Sequence, residues 1–176
     1  MVHVKSKAIN KELQVDRLIV KITGSKNGPT LVFFAGIHGN ETAGVFALTQ
    51  VIKNIESKNF KGTIYAITGN LNALSKNKRY INQDLNRLWT QDGLDALVKN
   101  NQKNSEEKEQ LDLYNLLKEI TQTHSGPIYF IDFHTTSSKT LPFITINDAL
   151  INRKFSQQFP VPIVLGIEEY LKGPLN

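Results

Sequence analysis

The chain has 176 residues, of which 40% are hydrophobic and 21% charged, with a formal net charge of +5 and no cysteine. That length suits one domain with a real core and is short for two. The lack of cysteine excludes disulfides, thiolate nucleophiles and cysteine-bearing metal sites, so any metal must be held by nitrogen and oxygen.

No apolar run approaches the roughly 20 residues of a membrane span. The N-terminal stretch "MVHVKSKAINKELQVDRL" has no continuous apolar core for a secretory signal, so cytoplasmic residence is the expectation. The lysines are scattered among acidic and amide neighbours, as in "KSKAINKELQ". This reads as solvated surface rather than a nucleic-acid face, and at most as a field that steers an anionic substrate.

In chain order, "RLIVKIT" (17–23) is β-branched and alternating, "GSKNGP" (24–29) is a turn, and "TLVFFAG" (30–36) is an almost continuous apolar strand. Such a run predicts a central strand buried on both faces. From Glu41 onward, Val45, Leu48, Val51, Ile52 and Ile55 follow helical spacing, which predicts a helix of about four turns. "GTIYAIT" (62–68) returns as a strand, completing a strand–helix–strand unit with a parallel pair.

Residues 69–89, "GNLNALSKNKRYINQDLNRLW", lack periodicity and read as a long surface loop of the kind that carries function. Ser105 is a candidate cap for a helix opened by Glu106 and Glu107, with Leu113, Leu116, Leu117 and Ile120 as its apolar stripe and an end near Gly126 and Pro127. "IYFIDF" (128–133) is another buried strand and runs into His134. "LPFITI" (141–146) and "VPIVLG" (161–166) are strand candidates flanking a helical stretch at 147–159. The order predicts a single α/β domain whose sheet is largely parallel or mixed. Ligands of such sheets gather beyond the carboxyl ends of the strands, where both His38 and His134 fall.

A single histidine after a strand is commonly structural, and a glutamate beside a helix start commonly does no more than complement the dipole. His38 and Glu41 together, in the tight turn "HGNE", can aim an imidazole and a carboxylate at one point. His134 is a candidate third donor. Two imidazoles and one carboxylate leave the open position characteristic of a catalytic zinc. Asp132, two residues before His134, either orients that imidazole or is an ordinary strand-end carboxylate. His3 and His124 read as bystanders. In "KRYINQDLNR" (78–87), Arg79, Asn86 and Arg87 suit an acidic substrate group or form an exposed basic loop, with Asp84 free to pair one of the arginines.

The segments "AGIHGNETAG", "RYINQDLNRLW" and "IDFHTTSS", in that order, resemble the zinc carboxypeptidase superfamily in its aspartoacylase and succinylglutamate desuccinylase branch. The resemblance implies a three-layer α/β/α fold around a mixed, largely parallel sheet, with one zinc ion per chain held by His38, Glu41 and His134. It implies that Asn86 and Arg87 grip a substrate carboxylate and that Arg79 helps to polarise the scissile carbonyl. The implied activity is hydrolysis of a small acidic N-acyl amino acid, with zinc lowering the pKa of its bound water to about 7.

The family's general base is a glutamate on a strand beyond the third zinc ligand, and "LGIEEYLKGPLN" resembles the segment before that strand. The expectation is therefore a catalytic domain truncated at its C-terminal end, with the base beyond Asn176 and Glu168 or Glu169 as weaker substitutes. Two other readings stay open: a zinc carboxypeptidase acting on a peptide C-terminus, and a non-catalytic zinc- or carboxylate-binding fragment.

Overall fold

Within the charged N-terminal segment, alternate residues are apolar, and they build a hairpin. Val2–Ser6 (β1) pairs antiparallel with Lys11–Val15 (β2), burying Val4 and Val15 while His3, Lys5 and Glu12 face water. The computed structural model describes residues 1–99 and 101–166. After the hairpin come Leu18–Thr23 (β3), Thr30–Ala35 (β4), Thr42–Ile52 (α1), Thr63–Thr68 (β5) and Leu71–Ser75 (α2). Gln91–Lys99 (α3), Ser105–Thr123 (α4), Ile128–Phe133 (β6), Ile144–Ile146 (β7), Leu150–Ser156 (α5) and Ile163–Leu165 (β8) complete the order.

The main sheet runs β3-β5-β4-β6, with β3 antiparallel to β5 and the other pairs parallel. The apolar run 30–36 is interior as its composition requires, and every residue of β5 beside it is buried. Because side chains alternate across a strand, the sheet feeds two cores. On one face Val32, Phe34, Tyr65 and Ile67 meet Leu113 and Ile120 of α4, together with Leu85 and Trp89. On the other, Ala35 and Ala66 meet Val45, Leu48 and Ile52 of α1, Leu74 of α2 and the hairpin's Val4 and Val15. Each fully buried aliphatic side chain contributes roughly 1.5–3 kcal/mol. Helices on both faces of a mixed sheet make the α/β fold with α/β/α layering that the motifs imply.

Several elements differ from their sequence readings. The helix after Glu41 closes at Ile52, leaving Ile55 beyond it. The cap of α4 is Asn104, one residue earlier than Ser105. Its side chain accepts from the Glu107 N–H while the Glu107 carboxylate accepts from the Asn104 N–H, so a capping box outcompetes a lone serine. Ser105 Oγ instead accepts a 2.6 Å bond from Asn72 Nδ2. The long segment 69–89 contains α2 and a 3-10 turn at Leu85–Arg87, and α3 follows it.

Among the described residues β6 is an edge of the main sheet, with Phe130 50% exposed, where the sequence reading expects a buried strand. β7 and β8 are short and pair with each other, in parallel, as a separate two-stranded sheet. Phe155 of α5 stacks on Tyr129 of β6, with ring centroids 4.5 Å apart, and ties this smaller β–α–β unit to the sheet.

The register of β4 and β6 brings the candidate donors together. Ala35 lies opposite Phe133 in a parallel pair, so the residues that follow both strands emerge side by side at one carboxyl edge. Gly36 then turns the chain with φ +77°, and Gly39 passes so close to α2 that a Cβ there would lie 2.1 Å from the Ala73 carbonyl carbon. Gly39→Ala must therefore push the turn off α2. The expected cost is about 2 kcal/mol or more in chemical denaturation, accompanied by weakened metal binding.

Candidate metal centre

Three donors meet at that carboxyl edge. His38 follows β4, Glu41 is the cap residue of α1, and His134 is the first residue after β6. Their ligand atoms all lie within 4.8 Å of one another, so together they can hold a metal ion. His38 and Glu41 are buried, and the His134 side chain is 37% exposed.

Glu41 makes no side-chain cap bond to its helix. Its carboxylate faces the two imidazoles instead: Oε1 is 2.9 Å from His38 Nδ1, and Oε2 is 3.1 Å from His134 Nδ1. Oε2 also accepts a 2.7 Å bond from the Thr135 N–H. Each imidazole thus turns Nδ1 inward and is held from outside at Nε2. Asp132 Oδ2 lies 2.6 Å from His134 Nε2, and Asp84 Oδ1 lies 3.0 Å from His38 Nε2. A carboxylate behind a ligand histidine fixes ring orientation and raises its basicity, which is the arrangement expected around a metal. The donor set, nitrogen and oxygen only, fits zinc or a similar divalent ion. Asp132, which the sequence leaves as either an orienting or an ordinary strand-end carboxylate, is in contact with His134 Nε2.

The electrostatics follow from this packing. Burial disfavours charge on Glu41, but hydrogen bonds from His134, His38 and Thr135 outweigh it and hold the carboxyl far below its usual range. Burial likewise opposes the charged form of His134, yet the bonds to Asp132 and Glu41 and their negative charges prevail and push its pKa up to about 10. Asp84 is lowered in the same manner, with desolvation outweighed by His38, the Asn86 N–H and Arg79.

The segment 78–87 lies over this centre. Arg79 reaches Glu41 Oε1 at 3.5 Å through Nη1 and Asp84 Oδ2 at 3.2 Å through Nη2, with its side chain about half exposed. The Gly39 N–H donates to the Arg79 carbonyl, stitching the loop to the "HGNE" turn. Asp84 is the residue that sequence reasoning undervalued. It pairs Arg79, as the sequence allowed, but its other oxygen also holds His38 and accepts from the Asn86 N–H. Its position two residues before Asn86, as cap of the 3-10 turn, was the available signal. Asn86 and Arg87 sit on that turn, and the Asn86 Oδ1 is a buried acceptor with no hydrogen-bond partner among the described residues.

The remaining candidates lie elsewhere. His3 is on the outer face of the hairpin beside Gln14 and Glu12. His124, at the end of α4, meets the Tyr65 hydroxyl at 2.8 Å. Glu168 and Glu169 fall outside the described residues.

With this geometry in view, comparisons with known proteins are specific. A family model described as the succinylglutamate desuccinylase/aspartoacylase catalytic domain matches residues 27–172. The succinylglutamate desuccinylase of Photorhabdus laumondii is 30% identical over 129 residues, covering 72% of this chain and 39% of the relative. That of Pseudomonas syringae pv. tomato is 42% identical over 65 residues, covering 36% of this chain and 19% of the relative. Among solved structures, the Vibrio cholerae succinylglutamate desuccinylase superposes with TM-score 0.61 at 23% identity, covering 81% of this chain and 43% of that one. Murine aminoacylase 3 gives 0.55 at 21%, covering 81% and 48%. The chain spans less than half the length of these relatives. These structures share its fold, and the chain belongs to the succinylglutamate desuccinylase/aspartoacylase catalytic-domain family, in the zinc carboxypeptidase-like superfamily.

Proposed function

We propose that this chain carries the metal and carboxylate-binding site of a zinc-dependent deacylase, which hydrolyses the amide bond of a small acidic N-acyl amino acid. The observation that carries the reading is the convergence of His38, Glu41 and His134 from two strand ends, with the Arg79 guanidinium beside them. Family membership points to the same chemistry, and two of its members are named for succinylglutamate.

Zinc in this site would supply a Lewis acid for the scissile carbonyl and a water acidified enough to attack at neutral pH. The protein's part is geometric and electrostatic. His38 and His134 offer Nδ1 while Asp84 and Asp132 keep their rings from turning. Arg79 puts a positive charge where the carbonyl oxygen becomes negative, the arrangement that lowers barriers in acyl transfer. Asn86 and Arg87, on one short turn beside Asp84, offer an amide and a guanidinium to a substrate carboxylate. A general base would complete the set, and the resemblance implies that it is a glutamate on a strand beyond the third metal ligand.

His38→Ala and His134→Ala are each expected to abolish stoichiometric zinc uptake in equilibrium dialysis; one tight zinc per chain in both variants would overturn the ligand assignment. A pH dependence follows from His134. Its Nδ1 bears a proton up to about pH 10 in the metal-free chain, and a metal must displace it. Acid therefore favours the proton over the metal, and apparent zinc affinity rises by about tenfold per pH unit from neutrality to about pH 8, below the range in which aqueous zinc forms hydroxide. Calorimetry in buffers of different ionisation enthalpy would register the proton released, and a pH-independent affinity would contradict this account. In the full-length enzyme, assayed on N-succinyl-glutamate beside a short peptide, Arg87→Ala is expected to raise KM by about tenfold or more with less effect on kcat. Cleavage of the peptide alone would reject the substrate class.

A further inference from the structure

Glu106 is fully buried in the first turn of α4, yet it is not spent on its own helix. Oε1 accepts from the Ile81 N–H at 2.8 Å and from Asn70 Nδ2 at 3.0 Å. Oε2 accepts from the Asn82 N–H at 2.8 Å and from the Gln83 N–H at 3.4 Å. Three successive backbone N–H groups of a loop without regular structure are thus gathered on one carboxylate. Desolvation works against its charge, but these donors outweigh it and keep Glu106 ionised below the usual carboxylate range.

The residues so gathered, 81–83, lie between Arg79 and the Asp84, Asn86, Arg87 turn. The anchor also reaches the metal-bearing strand end. Asn70 donates to Glu106 from its side chain, its own N–H donates to the Gly36 carbonyl, and its Oδ1 accepts from the Ala73 N–H of α2, the helix against which Gly39 packs. Beside it, the Asn82 Oδ1 accepts from the Ser105 N–H.

We infer that Glu106 is a positioning residue, which clamps residues 81–83 to α4 and so sets Arg79, Asn86 and Arg87 over the metal centre at the spacing a substrate carboxylate requires. This rests on the deacylase reading for its consequence, but the clamp itself is independent of it. Glutamine cannot replace Glu106, because its amide would turn an N–H toward either the 82–83 or the 70–81 pair of donors, losing at least one pair of bonds.

The clamp can be tested in the wild-type chain by amide hydrogen exchange. Ile81 and Asn82 should be strongly protected although they lie outside helix and strand, and free exchange of both would overturn the inference. In Glu106→Gln, protection should fall by about 100-fold at the N–H groups within 81–83 whose bonds are lost, while the strands β4 and β5 keep theirs, and zinc affinity should fall by much less than ligand affinity. Titration of the zinc-loaded chain with N-succinyl-glutamate should show affinity weakened by about tenfold or more. Unchanged ligand affinity in a variant whose loop is demonstrably loosened would overturn the positioning role, as would parallel loss of zinc and ligand. If the wild type takes up no N-succinyl-glutamate, the deacylase reading fails on its own, and the exchange results still decide the clamp.

Discussion

The structure depends on one carboxylate placed between two imidazoles. Glu41 joins His38, from its own turn, to His134, which is 93 residues away in the chain, and it does so from a buried position where an unpaired charge would be costly. The charge is tolerated because it is divided among His38, His134, the Thr135 N–H and Arg79. Everything around it keeps that division in place: two outer carboxylates fix the rings, two glycines let the turn pass under α2, and the parallel register of β4 and β6 brings the strand ends level.

A second group of buried carboxylates does comparable work for the loop above. Glu106 collects backbone donors, and its neighbour Glu109 accepts from the Asn72 N–H and pairs with Arg17, which in turn donates to the carbonyls of Thr68 and Gly69 at the end of β5. The first turns of α4 thereby connect the end of β5, the start of α2 and the arginine-bearing loop. In this arrangement buried carboxylates anchor the backbone and arginine donors of three separate segments.

The site was largely legible in the sequence because its parts are local motifs. The strand "TLVFFAG" and the turn "HGNE" lie within a dozen residues, and "IDFH" runs a strand into a candidate donor, so hydrophobic patterning places His38 and His134 just beyond strand ends and Glu41 at a helix start. What escaped reading is made by contacts between distant segments. Asp84 looks like a partner for Arg79 until His38, 46 residues away, is brought beside it, and Glu106 looks like a dipole-complementing first-turn residue until residues 81–83 fold over it. The N-terminal hairpin was hidden because Lys5, Lys11 and Glu12 mask an alternation only a few residues long. β6 read as buried because its composition is apolar, and composition does not say whether a strand has one neighbour or two.

The parallel register of β4 and β6 also governs how the site comes into being. His38 and Glu41 are within one turn of each other, but His134 joins them only after the chain between has closed a long loop and the two strands have paired, which places the complete donor set late in assembly. An ion that needs all three donors therefore distinguishes the finished sheet from any partly folded form. Its binding energy then adds to the stability of that finished state in proportion to the logarithm of its concentration. A metal held by these three donors would in this sense be a clasp on the fold.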